Sequence, residues 1–270
     1  MNKKFLELAK KSKVIVIKVG SNILVNEKHV LRKKWLSSLI ADVKELQKRG
    51  SKIIIVSSGA IALGRNILSK KKLTNLHEKQ AAASIGQIQL SQQWQKAFAK
   101  LNIQSSQILI TAEDLNERRK YLNIRNTIYS LMDLNVVPII NENDTTSTEE
   151  IRFGDNDKLS AMIANALSAE LLILLSDVNG LYTANPKKSL QAKLITSVEE
   201  VDQQIEKYID KDLSEFGSGG MLAKINAAKL CIQSGSTMII SNGLVNNPLS
   251  KIDPQSSTWF HPSKNILTSR

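Results

Sequence analysis

Residues 136–159 read VVPIINENDTTSTEEIRFGDNDKL. The run opens with five apolar, mostly β-branched residues, which predict a buried strand with Pro138 near its start. Two polar clusters follow, NEND at 141–144 and GDNDK at 154–158, before an apolar helical pattern resumes at Leu159. In open α/β sheets, ligands bind beyond the carboxyl ends of the strands, where loops carry the chemistry. The stretch therefore predicts a strand, a ligand-binding loop and a helix.

An alternative is that NEND and GDND are ordinary turns, because Asn, Asp and Gly are among the commonest turn residues. A single cluster of this kind would not separate the two interpretations. Two clusters that frame one strand-to-helix connection favour a site, although they identify no reaction.

Apolar runs alternate with helical patterns along the rest of the chain. The predicted strands are 13–19, 51–56, 107–110, 136–140, 171–175 and 236–241, and the predicted helices are 3–11, 30–48, 80–99, 122–134 and one that begins within 216–228. This alternation predicts an α/β fold with a largely parallel sheet and helices on both faces. The region after Pro248 reads as a polar tail or an extension of the sheet edge.

The composition is that of a folded protein, since 270 residues with 42% apolar content suffice for one large α/β domain or two small ones. The single cysteine, Cys231, lies in an apolar helical pattern and is interpreted as a buried structural thiol. The three histidines are scattered and show no zinc-type spacing. The first apolar run is interrupted by Lys18 and is too short for a signal peptide or a membrane span. We expect a soluble, cytoplasmic protein without a membrane partner.

The positive charge is concentrated in one part of the chain. Residues 1–100 contain 21 Lys and Arg against 5 Asp and Glu, whereas the other 170 residues contain 16 against 20. A basic half is typical of proteins that bind polyanions, or that attract anionic substrates. We favour solvated surfaces instead and expect no nucleic-acid partner, because aromatic residues do not alternate with the basic runs.

Two strand ends have the composition of anion-binding sites. Lys18 stands near the end of the first predicted strand, and an ammonium there either reaches solvent or pairs with an anion. Gly20 would let backbone amides approach a phosphate closely. The second strand runs into SSGAIA at 57–62, where amides and a hydroxyl at a helix start suit an anionic group. Ser58 as a simple helix cap is a compatible alternative.

A second lysine, Lys224, follows a glycine-rich turn, FGSGGMLAK at 216–224. Two lysines near glycine-rich turns, together with an acidic loop, point to phosphoryl transfer, which needs mainly positioning and neutralisation of charge. The chain contains no GxxxxGK[ST] P-loop and no eukaryotic-type kinase motifs, so such a site must be built differently.

Six motifs occur in order, namely KVGS (18–21), SSGAIA (57–62), PIINEND (138–144), FGDND (153–157), DVNGLY (177–182) and GGMLAK (219–224). Together they resemble the amino acid kinase family, and within it the members that phosphorylate the side-chain carboxylate of glutamate. The resemblance implies a three-layer αβα sandwich with a mostly parallel open sheet. It also implies ATP-dependent conversion of L-glutamate to L-glutamyl 5-phosphate, the first step of proline biosynthesis, with Mg²⁺ bridging phosphate oxygens.

The resemblance also implies an organisation for the chain. A single kinase domain would span residues 1–270, with a substrate half at about 1–165, a nucleotide half at about 166–255 and a tail at 256–270. It implies a homodimer or homotetramer, and it offers precedents for feedback inhibition by proline and for functional coupling to glutamyl phosphate reductase.

Roles for individual residues follow from the resemblance. Lys18 and Lys224 would stabilise the transferring phosphoryl group from opposite sides, and Asp157 would hold both lysines in place. The residues implied to bind glutamate are Ser58, Gly59, Ala60, Asn141, Asp144 and Asn156, with Asp144 meeting the substrate's ammonium group. The residues implied to bind ATP are Lys18, Gly20, Ser176, Asp177, Ser218, Gly219, Gly220, Met221 and Lys224. The protein ligands of the metal are left unknown, since Mg²⁺ is expected to be held mainly through ATP phosphates. No general base is expected, because a carboxylate acceptor is already ionised near neutral pH.

The chain departs from the family pattern at two points. Ala223 stands where many relatives have Thr, which removes one hydroxyl that could contact the nucleotide. The sequence also ends at Arg270, so we expect a form without the RNA-modification-enzyme-like domain that many relatives append.

Two other functions stay open. One is a family member that acts on acetylglutamate, aspartate, carbamate or a nucleoside monophosphate. The other is a non-catalytic regulator or RNA-binding protein that retains the fold, which the basic first hundred residues motivate.

Overall fold

A computed structural model describes residues 1–70, 72–146, 156–186, 188–210 and 220–262. Its strands are β1 (Val14–Val19), β2 (Lys52–Ser57), β3 (Ser105–Ile110), β4 (Val137–Glu142), β5 (Leu171–Ser176), β6 (Leu181–Tyr182), β7 (Leu194–Ile195), β8 (Ser197–Val198), β9 (Thr237–Asn242) and β10 (Thr258–Phe260). Eight of them form one sheet in the order β3-β4-β2-β1-β5-β9-β10-β8, and β6 and β7 pair separately. Within the large sheet, the β9–β10 pair is antiparallel and the other pairs are parallel.

The helices connect the strands along the whole chain. They are α1 (Lys3–Lys11), α2 (Ser21–Leu24), α3 (Lys33–Lys48), α4 (Ala60–Ile67), α5 (Leu76–Ala99), α6 (Ala112–Asn116), α7 (Arg118–Asp133), α8 (Asn156–Ala166), α9 (Gln203–Asp210) and α10 (Met221–Ser234). Local sequence explains several of their ends. Asn2 and Asn75 cap α1 and α5 through their side chains, and Thr111 forms a capping box with Asp114. Gly235, in the left-handed conformation, ends α10.

The helices form one layer on each face of the sheet. Helices α1 to α5 contribute to one hydrophobic cluster, together with Ile15, Ile17 and Val19 of β1. Helices α6 to α10 contribute to the other cluster, together with Val16 of the same strand. Successive side chains of a strand point to opposite faces of the sheet, so β1 supplies both cores. The predicted three-layer αβα sandwich with a mostly parallel open sheet is confirmed.

Helices α4 and α5 cross at very short distance because glycine stands on both. A Cβ atom on Gly86 would lie 1.8 Å from the carbonyl oxygen of Ala60, and one on Gly64 would lie 1.7 Å from that of Ala82. Neither contact could be relieved by rotating a side chain, since both involve backbone atoms. This crossing fixes the start of α4, and therefore the position of residues 58–60 beyond β2.

The predicted main strands and helices are present, with small shifts in their ends. Strand β4 extends two residues beyond the prediction, because Asn141 and Glu142 pair with Leu109 and Ile110 of β3. The region after Pro248, predicted to be a polar tail or an extension of the sheet edge, contains β10, which adds to the sheet between β9 and β8. Within the described part of the chain, no helix combines the length and apolarity that crossing a membrane requires.

Candidate active site

Lys18 is a buried lysine in the middle of the sheet. It pairs in register with Val56 of β2 and Leu174 of β5, and only 7% of its surface is exposed. Because side chains alternate along a strand, Lys18 points to the same face as Val16, which is the face covered by α8 and α10. Its position near the carboxyl end of β1 directs the ammonium group toward the starts of these two helices.

Asp157 joins Lys18 to the second predicted lysine. Asp157 lies in the first turn of α8 and Lys224 in the first turn of α10. Lys18 Nζ lies 2.5 Å from Asp157 Oδ1, and Lys224 Nζ lies 3.0 Å from Asp157 Oδ2. The two lysines, far apart in the sequence, therefore meet on the two oxygens of one buried carboxylate.

The surroundings of Asp157 favour its ionised form. Burial alone would raise the pKa of this carboxyl group, but the charges and hydrogen bonds of Lys18 and Lys224 outweigh burial and hold the pKa below its usual value. The positive end of α8 also favours a negative charge at this position. Asp157 is therefore a carboxylate at neutral pH, suited to holding two cations.

Lys224 lies at the helix end that disfavours a cation. A positive charge in the first turn of α10 is opposed by the helix dipole, so the contact with Asp157 is needed to offset it. Each ammonium group carries a positive charge and three N–H donors. Two cations held at the start of α10 suit a negatively charged group with several acceptor oxygens, such as a phosphate.

A cluster of amide side chains lies next to the two lysines. Asn156, which precedes Asp157, donates through Nδ2 to Ser58 Oγ at 2.8 Å and to Asn141 Oδ1 at 3.0 Å. Asn141 in turn donates to Gln87 Oε1 at 2.8 Å and accepts from the N–H group of Glu142 at 2.9 Å. Asn141 is hydrogen-bonded through both its side-chain nitrogen and its side-chain oxygen, and these bonds fix its orientation. Asn141 in turn orients the side chain of Asn156.

The side-chain oxygen of Asn156, Oδ1, has no hydrogen-bond partner among the described residues, although Asn156 is only 2% exposed. A buried acceptor without a donor is unfavourable by about 1–3 kcal/mol. An N–H group of a ligand would satisfy this oxygen. The amide cluster is therefore suited to bind a ligand, in addition to its structural role.

Residues 59 and 60 follow Ser58 at the start of α4. Gly59 adopts φ 114°, a left-handed conformation that favours glycine, and precedes the first helical residue, Ala60. The amide groups at this helix start have no partner within the helix and lie at its positive end. They can bind a carboxylate beside Ser58.

Asp144 lies just beyond the end of β4, where it is buried together with Glu142. Burial, and to a smaller extent the negative charge of Glu142, raise the pKa of Asp144 to about 7. A carboxyl group with this pKa becomes fully ionised when a cation binds beside it. Asp144 is therefore suited to pair with an ammonium group.

The predicted nucleotide residues lie on the other side of Lys18. A Cβ atom on Gly20 would be 3.7 Å from Lys18 Nζ, so this glycine borders the ammonium group directly. Ser176 ends β5, and its hydroxyl donates to Asp177 Oδ1 at 3.3 Å. Gly220 immediately precedes α10 and has no side chain that could cap it, and the amides that follow, beginning at Met221, lie at the positive end of this helix. Ser218 and Gly219 lie outside the described residues.

The carboxylate in contact with the two lysines is that of Asp157. Among the described residues, no three His, Cys, Asp or Glu side chains are placed to hold a metal ion together. Both oxygens of Asp157 are already engaged by lysines. The expectation that Mg²⁺ arrives with the nucleotide and is held mainly through its phosphates stays a prediction.

Two polar residues of the site were missed by the sequence reasoning. Gln87 lies on α5 and orients Asn141, and Asn22 on α2 donates to Asp177 Oδ2 at 3.4 Å. Gln87 follows Gly86, the glycine at the α4–α5 crossing. A polar residue beside a glycine in the middle of a long helix was the available signal, but the many glutamines of α5 obscured it.

Known proteins are similar to this chain over most of its length. The amino acid kinase family model matches residues 13–242. A protein of Pelagibacter ubique (strain HTCC1062) named glutamate 5-kinase is 50% identical over 263 residues, which cover 97% of this chain and 72% of the relative. A protein of Rhizobium johnstonii with the same name is 46% identical over 258 residues, which cover 95% of this chain and 66% of the relative.

Solved structures share the fold at much lower identity. The carbamate kinase from Giardia lamblia bound to AMP-PNP superposes with a TM-score of 0.64 at 17% identity, covering 94% of this chain and all of that one. The UMP kinase from Ureaplasma parvum gives a TM-score of 0.63 at 16% identity, with 92% and 98% coverage.

Proposed function

The chain belongs to the amino acid kinase family, and we propose that it transfers the γ-phosphoryl group of ATP to the side-chain carboxylate of L-glutamate. A carboxylate oxygen of glutamate forms the new P–O bond, the bond to the β-phosphate bridging oxygen breaks, and the products are L-glutamyl 5-phosphate and ADP. The high identity to relatives named glutamate 5-kinase supports this choice of acceptor. The product is the intermediate that begins proline synthesis from glutamate.

The observation that carries the proposal is the meeting of Lys18 and Lys224 on Asp157. In phosphoryl transfer the charge on the moving group is spread over its oxygens, and the protein acts mainly by positioning and by electrostatic stabilisation. Lys18 would contact the phosphates of ATP and the moving group, and Lys224 would approach it from the start of α10. Asp157 would keep the two ammonium groups at a fixed separation throughout the transfer.

The acceptor would bind in the amide cluster. Asp144 and the side-chain oxygen of Asn156 would bind the ammonium group of glutamate. Ser58 and the backbone amides of Gly59 and Ala60 would bind a carboxylate group. Asn141 would orient Asn156 from behind. Glutamate needs no deprotonation at the reacting oxygen, because its carboxylate is already ionised at neutral pH.

The nucleotide would lie along the starts of α2 and α10. The phosphates would contact backbone groups of Gly20, Gly220 and Met221. The rest of the nucleotide would be lined by Ser176, Asp177, Ser218 and Gly219. Magnesium bound to the phosphates would neutralise part of their charge.

The test is an assay of purified protein with ATP and a panel of acceptors. We expect ADP release and acyl-phosphate formation with L-glutamate, and little turnover with acetylglutamate, aspartate, carbamate or UMP. Trapping the product with hydroxylamine would identify the acyl phosphate directly. Equal or better turnover with another acceptor would replace glutamate in this proposal.

The pKa of Asp144 predicts a pH dependence of glutamate binding. With a pKa of about 7, Asp144 is mostly protonated at pH 6 and mostly ionised at pH 8. Only the ionised form attracts an ammonium group, so KM for glutamate should fall about tenfold between these values, in proportion to the ionised fraction. The measurement is KM for glutamate at saturating ATP across this range.

The matched control for this profile is Asp144→Asn, which removes the titrating group and keeps its shape. The variant should have a higher KM for glutamate at every pH, with little change from pH 6 to 8. A wild-type KM that does not change with pH would remove Asp144 from the ammonium site. The effect on stability has the opposite sign, since a raised pKa favours folding at low pH and this contribution is lost as pH rises through about 7.

Further parts of the proposal rest on family membership alone. They are a homodimer or homotetramer, feedback inhibition by proline, functional coupling to glutamyl phosphate reductase, a cytoplasmic location, and a single domain 1–270 with its substrate and nucleotide halves meeting near residue 165. Each remains a prediction.

A further inference from the structure

The segment 243–250 continues the chain beyond β9 at the carboxyl end of the sheet. Its first residue, Gly243, donates through N–H to the carbonyl oxygen of Ser176 at 2.7 Å. A Cβ atom on Gly243 would lie 2.9 Å from Leu175 Cβ, so the backbone here approaches β5 closely. Ser176 also pairs in register with Asn242, the last residue of β9. The segment is therefore attached directly to a proposed nucleotide-binding residue.

One face of α3 binds this segment at three points. Trp35, Ser38 and Asp42 are spaced by three and four residues, which places them in one row along the helix. The indole N–H group of Trp35 donates to the carbonyl oxygen of Gly243 at 2.6 Å. Ser38 Oγ accepts from the N–H group of Asn247 at 2.9 Å, and the carbonyl oxygen of Ser38 accepts from Asn247 Nδ2 at 3.2 Å.

Asp42 accepts four hydrogen bonds from the segment, more than Trp35 or Ser38 forms with it. Its Oδ2 atom accepts from the N–H groups of Leu249 at 2.9 Å and Ser250 at 3.1 Å. Its Oδ1 atom accepts from Ser250 Oγ at 2.5 Å and from Asn247 Nδ2 at 3.4 Å. Asp42 is only 3% exposed, so its charge is met mainly by these donors of the segment. Removing the carboxylate would leave several buried N–H groups without an acceptor.

We propose that Trp35, Ser38 and Asp42 are positioning residues for the nucleotide side of the active site, and that they act through the segment 243–250. This inference rests on the proposed function, because it takes Ser176 to border the nucleotide. The α3 row holds Gly243 against Ser176 and holds the far end of the segment through Asp42. The carboxyl ends of β5 and β9 are thereby kept at a fixed separation beside Lys18, which lies on the strand next to β5.

The position of a second polar pair supports this inference. Asn242 donates to Asn179 Oδ1 at 3.0 Å and accepts from the N–H group of Leu244 at 2.9 Å. Asn179 belongs to the loop that follows Ser176 and Asp177. A shift of the segment would therefore move both strand ends, while the amide cluster around Asn156 lies on the opposite side of β1.

The experiment compares Asp42→Ala with wild-type protein by calorimetric titration with ATP and by steady-state kinetics. We expect Kd and KM for ATP to rise about five- to tenfold, the size of a moderate coupling between sites. KM for glutamate should change by no more than about twofold, since additivity holds for separated sites. A residue with a merely structural role would lower thermal stability and the active fraction without separating the two KM values.

Trp35→Phe keeps the test decisive if Asp42→Ala folds poorly. Phenylalanine retains most of the buried aromatic packing and removes only the donor to Gly243. It should raise Kd for ATP in the same direction by a smaller factor. Glu45→Ala on an exposed position of α3 should leave Kd for ATP unchanged. Val43→Ala destabilises the same helix without removing a hydrogen bond to the segment, and it should lower Tm while leaving Kd for ATP unchanged.

The outcomes separate this inference from the proposed function. A wild-type protein that fails to phosphorylate glutamate counts against the proposed function. A wild type that phosphorylates glutamate, while Asp42→Ala and Trp35→Phe bind ATP with wild-type affinity, overturns the inference alone. A rise in Kd for ATP that Val43→Ala reproduces at equal loss of Tm also overturns it, because instability would then explain the effect.

Discussion

Replacing Lys224 with alanine is expected to lower kcat by about 10²- to 10³-fold, the range typical for removing one group that stabilises charge in the transition state. KM for glutamate should stay nearly unchanged, because the proposed glutamate contacts come from other residues. The charge interaction of Lys224 grows as the phosphoryl group moves, so its loss affects the transition state more than the bound substrates. Steady-state kinetics at saturating ATP measure this difference.

The same helix offers a control for Lys224. Lys229 lies one to two turns further along α10, is more exposed, and pairs with Glu206 instead of Asp157. Lys229→Ala should keep kcat close to that of wild type. An effect of Lys224→Ala confined to KM for glutamate would contradict the role assigned to Lys224 and would place the residue in the acceptor site.

Replacing Asp157 with asparagine is expected to lower both activity and stability. Lys18 and Lys224 would lose the shared counter-charge that holds them in position, and a misplacement of about 1 Å in a catalytic group reduces kcat about 10²-fold. Breaking a buried ion pair on one side is unfavourable by about 3–5 kcal/mol, so Tm should fall by about 5–10 °C in a chain of this size. Thermal unfolding and kinetics measure the two effects.

The effect of ATP on the thermal stability of Asp157→Asn provides a further test of this role. Because ATP phosphates supply negative charge to the same two ammonium groups, saturating ATP should raise Tm more in the variant than in wild type. The matched control is Asp133→Asn, an exposed aspartate at the end of α7, which should change neither property. An Asp157→Asn variant with wild-type kcat would show that the carboxylate does not position the lysines for transfer.

Much of the fold could be predicted because its central strands are strongly apolar. The strands β1, β2, β5 and β9 are buried on both faces, and such strands appear in the sequence as continuous apolar runs. Short elements could not be predicted in the same way. Strands of two or three residues, such as β8 and β10, contain at most one and a half periods of the two-residue strand pattern, which is too little to recognise. Their pairing partners are also distant in the sequence.

The residues of the candidate site also differ in how far the sequence could predict their roles. The types of residue at strand ends, such as Lys18 and the NEND cluster, indicated anion binding and a ligand loop, and the family resemblance implied that Asp157 holds two lysines. Gln87 carried only a weak local signal and the α3 row carried none, because their roles depend on what lies opposite them in space. Polar residues of a long helix usually face solvent, so their sequence context is uninformative.

The α/β alternation, the buried strands and the kinds of polar residue at their carboxyl ends could be predicted from the residues alone, since these depend on local periodicity and residue chemistry. The three-dimensional structure was needed to show that Lys18 and Lys224 contact different oxygens of Asp157 and that Asp42 binds the segment after β9. It also showed that Asn156 Oδ1 is buried and has no donor among the described residues. The physical reason is that these features are contacts between residues far apart in the chain. Strand order and helix packing bring such residues together, and neither is encoded in any short stretch of sequence.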